Sequence, residues 1–130
     1  MKRKSHEIDL QAALMLKAPK VMPNLRLFRR GVARVRIRDE KSGKHRVIRF
    51  GIAGQCDLYG IEKGGKHIEI ELKSETGSLS AEQEAWWHFC TTWRVPYLVL
   101  APRRGETVVQ TVDRWLREIE RELSVSGAPF

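Results

Sequence analysis

The segment from Ile68 to Lys73 constrains the fold of this chain more than any other. Apolar and charged residues alternate through it without exception: Ile68, Ile70 and Leu72 are apolar, and Glu69, Glu71 and Lys73 are charged. Because successive side chains of a strand point to opposite faces, this period of two predicts a half-buried β-strand. Its three charged side chains would share one face.

An apolar run, Leu58 to Ile61, precedes this strand, and Glu62-Lys-Gly-Gly65 separates the two. A glycine pair between two β-like runs predicts a hairpin. If residues 63–65 form a three-residue loop, Asp57 falls opposite Glu71 with both side chains on one face; a two- or four-residue loop would need a bulge. The hairpin would then bring two carboxylates together.

Two carboxylates held side by side repel each other, so such a pair is typical of a site where a divalent cation lies between them. Mg²⁺ suits oxygen ligands, and Mn²⁺ is expected to substitute for it. The cation would polarise a phosphoryl oxygen and lower the pKa of a bound water, while Lys73 would orient that water or neutralise charge in the transition state. Asp57, Glu71 and Lys73 therefore indicate a phosphodiesterase site.

At these residues the chain resembles a known family. Asp57 followed by Glu71-Leu72-Lys73 resembles the PD-(D/E)XK nuclease superfamily, and segments 50–58 and 77–83 are similar to its VRR-NUC branch, the virus-type replication-repair nucleases. The glycine-framed aspartate block, the Glu-x-Lys strand and the Leu-Ser-x-x-Gln helix start are together far more specific than an acidic residue and a Glu-x-Lys triplet alone.

The resemblance extends from Phe28 to Leu100 and departs from the family pattern at two places. Cys56 stands where a proline often precedes the aspartate, and Phe28-Arg-Arg-Gly31 stands in place of an Arg-Asn-Asn-like segment. Neither change removes an expected metal ligand.

The resemblance implies an α/β fold with a PD-(D/E)XK restriction-endonuclease-like core. It also implies that the metal is held by Asp57, Glu71, the backbone carbonyl of Leu72 and Glu7 of the first helix, whereas Lys73 and Gln83 act on the attacking water. The implied substrate is branched DNA, as for Holliday-junction resolvases, and small members of the branch resemble symmetric homodimers. A homodimer suits a short chain with one site, because a four-way junction needs two matched cuts.

Three of the acidic or amide side chains have a second interpretation. Glu7 is also an ordinary acidic residue in the first turn of a helix, where the dipole favours negative charge. Gln83 also completes a capping box with Ser80. Glu69 shares a face with Glu71 and is either a further ligand or a neighbour, and the number of metal ions is left open.

A basic hairpin is predicted upstream. Leu25 to Arg38 is expected to form one strand, Asp39 to Gly43 a turn, and Lys44 to Phe50 the returning strand. The expected DNA-contacting residues are Arg29, Arg30, Arg34, Arg36, Arg38, Arg46 and Arg49. Guanidinium groups suit bidentate phosphate contacts, although arginines are also common on solvated strands.

The other elements are predicted from periodicity and punctuation. Ser5 to Lys17 reads as a helix, followed by a loop marked by Pro19 and Pro23. A second helix opens at Ser80, and its expected core stripe is Trp86, Phe89, Cys90 and Trp93, with Trp87 off the stripe as a partner contact. Residues 95–101 form a buried strand, and residues 112–123 form a last helix whose apolar face is Val112, Trp115, Leu116, Ile119 and Leu123. The order helix, two hairpins, helix, strand, helix predicts a central mixed sheet flanked by helices.

Length and composition bound the remaining possibilities. The 130 residues predict one domain, residues 1–123, with a flexible tail over 124–130. The net charge of +8 favours a polyanionic partner. Cys56 and Cys90 lack zinc-site spacing, and no apolar run reaches membrane length, so we expect a cytoplasmic protein without an organic cofactor or a membrane partner.

Three functions remain from the sequence. The first is a Mg²⁺-dependent endonuclease, a deoxyribonuclease acting on branched DNA. The second has the same chemistry on flap or unbranched duplex DNA. The third is a non-catalytic basic DNA-binding module, in which the acidic pair is a relic or belongs to a structural ion-pair network.

Overall fold

The computed structural model describes residues 2–31, 34–49 and 52–125, without the side chains of residues 2–8, 34–35 and 47–49. In these ranges the elements, in chain order, are α1 (Lys2–Val21), β1 (Leu25–Arg29), β2 (Arg34–Arg38), β3 (His45–Arg49), β4 (Leu58–Glu62), β5 (His67–Leu72), α2 (Ala81–Thr92), β6 (Tyr97–Leu100) and α3 (Val108–Val125). None of the helices in the described ranges is both long and apolar enough to cross a bilayer.

Four strands form the central sheet, in the order β1, β4, β5, β6. β1 and β4 pair antiparallel, β4 and β5 pair antiparallel, and β5 and β6 pair parallel. α2 makes the crossover between the two parallel strands, as parallel pairing requires. The expected α/β fold with a mixed sheet is therefore confirmed.

α1 and α3 cover one face of this sheet. Their buried residues, among them Leu14 and Ile119, form one cluster with Leu58, Ile68 and Ile70 of the sheet. The whole predicted apolar face of α3 is buried. Burial of this amphipathic stripe holds the helix on the sheet, because helical stability in proteins comes mainly from tertiary packing.

The expected long strand from Leu25 to Arg38 is wrong, because the chain divides into two strands that belong to different sheets. β1 joins the central sheet, with Phe28 opposite Tyr59, whereas β2 and β3 form a separate antiparallel pair. The first strand ends where the N–H of Arg30 donates to the carbonyl of Asp57 at 2.8 Å. Residue alternation could not show this, since β1 finds its partner in a distant segment.

The ends of the first and last helices also differ from the prediction. α1 continues through Pro19, because Ala18 is buried in the core and its carbonyl accepts from Met22 N–H at 2.7 Å. α3 begins at Val108, where the N–H of Gln110 donates to Thr107 Oγ1 at 3.1 Å and the N–H of Thr107 donates to Gln110 Oε1 at 2.9 Å. This capping box accounts for the earlier start of the helix. Residues 124 and 125 belong to α3, and the rest of the expected tail lies outside the described residues.

The core stripe expected on α2 is only partly correct. Cys90 is buried and Trp86 is half-buried, but Phe89 and Trp93 are 44% and 70% exposed. The helix faces the sheet along Gln83, Trp86 and Cys90, so the other two rings lie on its outer side, with their centroids 5.6 Å apart. Trp87 is exposed, as expected. α2 therefore covers the second face of the sheet with a narrower apolar stripe than its sequence indicates.

Candidate active site

The hairpin between β4 and β5 has the register that the three-residue loop requires. Leu58 lies opposite Ile70 and Ile61 opposite His67. The N–H of Glu62 donates to the carbonyl of Lys66 at 2.8 Å, which leaves residues 63–65 as the loop. One step beyond Leu58, the same register puts Asp57 opposite Glu71, as predicted.

The Glu71 carboxylate is buried beside Asp57. Its side chain is 2% exposed, and Oε1 accepts a hydrogen bond from Gln83 Nε2 at 2.9 Å. Burial raises the pKa of Glu71 well above its ordinary value; the negative charge of Asp57 acts in the same direction, and Lys73 opposes it. β5 is thus buried on both faces, and not half-buried as the alternation suggests.

Gln83 connects the buried acid to the lysine. Lys73 Nζ donates to Gln83 Oε1 at 2.6 Å and lies 4.0 Å from Glu71 Oε1. The amide of Gln83 therefore bridges the two charged groups, donating to one and accepting from the other.

Gln83 also closes the capping box at the start of α2. The N–H of Ser80 donates to Gln83 Oε1 at 2.9 Å, and the N–H of Gln83 donates to Ser80 Oγ at 3.2 Å. The predicted capping box is therefore present, and the same side chain also contacts Lys73 and Glu71. The cap fixes the side chain in the position from which it reaches the strand.

The loop that carries Asp57 lies directly against this helix start. Gly54 has φ +88°, and a Cβ built on it would come within 2.1 Å of the carbonyl oxygen of Glu82. A side chain here would meet backbone, so only glycine permits the close approach. Packing against α2 thus explains why the aspartate block has a glycine at position 54.

Glu69 is a neighbour of Glu71 with its own partners. It is 1% exposed, and Arg30 forms a bidentate pair with it at 2.7 and 3.0 Å. Its carboxylate also contacts His67 Nε2 at 2.6 Å and accepts from Trp86 Nε1 at 3.0 Å. Burial opposes ionisation, but the hydrogen bond from Arg30 and the other contacts outweigh it and lower the pKa of Glu69. Both oxygens are engaged within the protein.

Arg30, which was expected to contact DNA, makes its contacts within the protein. Its guanidinium pairs with Glu69, donates to the carbonyl of Cys56 at 3.0 Å and lies 4.8 Å from the ring centroid of Tyr59. The guanidinium of Arg30 turns inward to pair with the carboxylate of Glu69, because that buried charge would be costly without a partner. Sequence reasoning missed this network, whose only signal was a second acidic residue on the face that a helix must cover.

The donor set fits an oxygen-coordinated divalent cation. Asp57 is exposed, and Glu71 Oε2 has no hydrogen-bond partner among the described residues. Two adjacent carboxylates, one with an unsatisfied buried oxygen, match the ligands that Mg²⁺ prefers. Within the described residues no three histidine, cysteine or acidic side chains converge on one point, and the side chain of Glu7, which lies on α1, is outside them.

The basic hairpin of β2 and β3 forms as a separate antiparallel pair. Arg36, Arg38 and Arg46 are exposed, and Ile37 lies opposite Arg46. Arg46 therefore shares a face with Ile37, so the hairpin carries guanidinium groups on both faces. The side chains of Arg34 and Arg49 lie outside the described set.

Arg29 lies apart from the basic hairpin. It is exposed and pairs with Leu58, on the sheet face opposite that of Asp57 and Tyr59.

Comparison of the chain with protein-family models, curated proteins and solved structures finds no match. The candidate site is therefore defined by its geometry: a buried acid lies beside an exposed one, and an amide holds a lysine 4.0 Å from the buried acid.

Proposed function

We propose that this chain is a metal-dependent endonuclease of the PD-(D/E)XK type, similar to the VRR-NUC branch, that hydrolyses phosphodiester bonds of branched DNA. The observation that carries the proposal is the register that sets Asp57 opposite Glu71, with Gln83 joining Glu71 to Lys73. An acidic pair, a lysine and an amide at one end of a hairpin are the groups that phosphodiester hydrolysis needs.

Asp57 and Glu71 would hold Mg²⁺, or Mn²⁺ in its place, with the carbonyl of Leu72 and Glu7 as further candidate ligands. The support is the unsatisfied Oε2 of Glu71 and the pKa of Glu71, which burial and the charge of Asp57 raise. A cation would relieve both. When bound, Mg²⁺ polarises a phosphoryl oxygen and lowers the pKa of an adjacent water.

Lys73 and Gln83 would act on the water and on the developing charge. The ammonium group is mostly buried and held at 2.6 Å by Gln83, so its position is set before substrate arrives. Such preorganised donors stabilise a charged transition state better than mobile ones, because they need little reorganisation. The helix cap on Gln83 supplies the rigidity.

The basic hairpin would bind the DNA backbone. Arg36, Arg38 and Arg46 are exposed, and the net charge is +8. Contacts of this kind position a duplex without reading its bases, so selectivity would come from the shape of the DNA. A homodimer would supply the two matched cuts that a four-way junction requires.

The test is cleavage of four-way-junction, flap and unbranched duplex DNA of equal length, each with Mg²⁺, Mn²⁺ or EDTA. We expect metal-dependent cutting that is fastest on the junction and is lost in Asp57→Ala and Lys73→Ala, both of which should still bind DNA. Faster cutting of flap or duplex DNA would retain the chemistry and change the substrate. If wild type and Asp57→Ala cut nothing and bind DNA equally, the protein is a binding module.

A further inference from the structure

We infer that Arg30 and Glu69 are positioning residues: their buried ion pair fixes the main chain at Asp57 and ties it to α2, the helix that presents Gln83. The catalytic consequence rests on the proposed function. The positional consequence does not, because it concerns contacts within the chain.

Arg30 binds the main chain on both sides of the Asp57 Cα. Its backbone N–H donates to the carbonyl of Asp57 at 2.8 Å, and its Nη1 donates to the carbonyl of Cys56 at 3.0 Å. One residue therefore holds two successive carbonyls, immediately before β4 begins at Leu58. These two hydrogen bonds fix the backbone on either side of Asp57, and therefore the direction in which its side chain leaves the backbone.

Glu69 connects Arg30 to α2. Its Oε1 accepts from Arg30 Nη1 at 2.7 Å and from Trp86 Nε1 at 3.0 Å. Trp86 lies three positions after Gln83 on α2, which is nearly one helical turn, so the two side chains share a face of the helix. A single carboxylate oxygen thus links the segment carrying Asp57 with the helix carrying Gln83.

The other oxygen of Glu69 is also occupied. Its Oε2 accepts from Arg30 Nη2 at 3.0 Å and contacts His67 Nε2 at 2.6 Å. With both oxygens engaged and the side chain 1% exposed, Glu69 is not a third metal ligand. It acts through other residues, as the outer partners of ligand groups do.

A contribution to the stability of the fold does not by itself explain the buried ion pair of Arg30 and Glu69. Replacing a buried ion pair by well-packed apolar residues is often neutral or stabilising, because two charges must be removed from water. An apolar pair could not fix the orientation of these segments. The forked guanidinium can, because only one geometry lets it donate to Glu69 and to the Cys56 carbonyl together.

The test compares three variants with a matched control. Glu69→Gln removes the charge and keeps the shape, Arg30→Lys keeps the charge and removes the fork, and Trp86→Phe removes one N–H donor and keeps a ring. Glu106→Gln is the control, because Arg114 of α3 also binds Glu106, in the loop after β6, in a bidentate pair at 2.9 and 2.9 Å. The measurements are kcat and KM for junction cleavage, and amide hydrogen exchange with Mg²⁺ absent.

We expect Glu69→Gln and Arg30→Lys to lower kcat about 10- to 100-fold, the range found when partners of metal ligands are changed, with KM for DNA nearly unchanged. Amides of residues 52–58 and 81–86 should exchange faster in both variants, and those of residues 68–70 should not. In Trp86→Phe the faster exchange should be confined to residues 81–86. Glu106→Gln should leave kcat and both segments as in wild type.

Unchanged exchange of residues 52–58 and 81–86 in Glu69→Gln and Arg30→Lys would overturn the inference, whether or not the protein cuts DNA. Equally faster exchange over residues 68–70 would also overturn it, since that pattern means general destabilisation. If wild type cuts no DNA, the proposed function fails, and the exchange data alone then decide the positional claim. If Glu69→Gln does not fold, Arg30→Lys and Trp86→Phe decide it by the same readings.

Discussion

Asp57 lies directly opposite Glu71 across the hairpin of β4 and β5, and the two differ in environment: Asp57 is exposed and Glu71 is buried. Two acids in one register position would ordinarily repel each other. Here the buried member keeps one oxygen bound to Gln83 and the other without a partner in the described residues. This asymmetry is what the proposed cation site would require, with the cation entering from the side of the exposed Asp57.

Gly54→Ala should destabilise the protein more than Gly105→Ala. Both glycines have positive φ, +88° and +85°, but a Cβ at Gly54 meets the Glu82 carbonyl at 2.1 Å and one at Gly105 meets nothing within 4 Å. Backbone strain costs about 1–3 kcal/mol at either position. Urea unfolding of both variants measures the difference. Equal destabilisation by the two substitutions would mean that the aspartate loop does not depend on its contact with α2.

Ser80→Ala and Gln83→Ala should separate the two roles of the capping box. Ser80→Ala removes the hydroxyl that accepts from Gln83 N–H and should cost about 1 kcal/mol of unfolding free energy. The amide of Gln83 still reaches Lys73 and Glu71 in that variant, so cleavage should change little. Gln83→Ala should reduce stability by a similar amount and remove most of the cleavage rate. Equal effects of the two on cleavage would reduce Gln83 to a cap.

The ion pair of Glu106 with Arg114 predicts an acid-sensitive component of the protein's stability. Its hydrogen bond with Arg114 lowers the pKa of Glu106 from 4.5 to about 2. A lowered folded-state pKa stabilises the protein above the unfolded value, and this contribution is lost as the pH falls. The stability difference between wild type and Glu106→Gln should be constant above about pH 5 and shrink as the pH falls from 4.5 towards 2. Urea unfolding across this range tests it; a difference independent of pH would contradict the pairing.

The exposed arginines of the basic hairpin should determine how DNA binding responds to salt. Arg36→Ala with Arg38→Ala should weaken binding to every DNA shape and lower the salt slope by about 0.9 for each phosphate that the variant no longer neutralises. Arg121→Ala is the matched control, since Arg121 is exposed on α3. Fluorescence anisotropy at several salt concentrations gives the slopes. Equal slopes in all three proteins would remove the hairpin from the DNA-binding surface.

Much of the site could be predicted because its determinants are local. The loop Lys63-Gly-Gly65 sets the register that brings Asp57 to Glu71, and Ser80 with Gln83 marks the start of α2 within four residues. The apolar stripe of α3 is likewise contained in one segment.

What could not be predicted depends on contacts between distant segments. β1 leaves the basic hairpin because it pairs with β4, and Arg30 turns inward because Glu69 is buried 39 positions along the chain. The burial of the charged face of β5 depends on α2, which crosses over it. The alternation of residues alone therefore predicted that this face would be exposed to solvent.

Direct binding of Mn²⁺ in the absence of DNA tests the central claim, that Asp57 and Glu71 form a divalent-cation site. Electron paramagnetic resonance of free Mn²⁺ should show saturable binding to wild type that Mg²⁺ displaces. Asp57→Asn and Glu71→Gln should each abolish this binding, whereas Glu106→Gln should retain it. Equal Mn²⁺ binding by wild type, Asp57→Asn and Glu71→Gln, or none by any of them, would contradict the account.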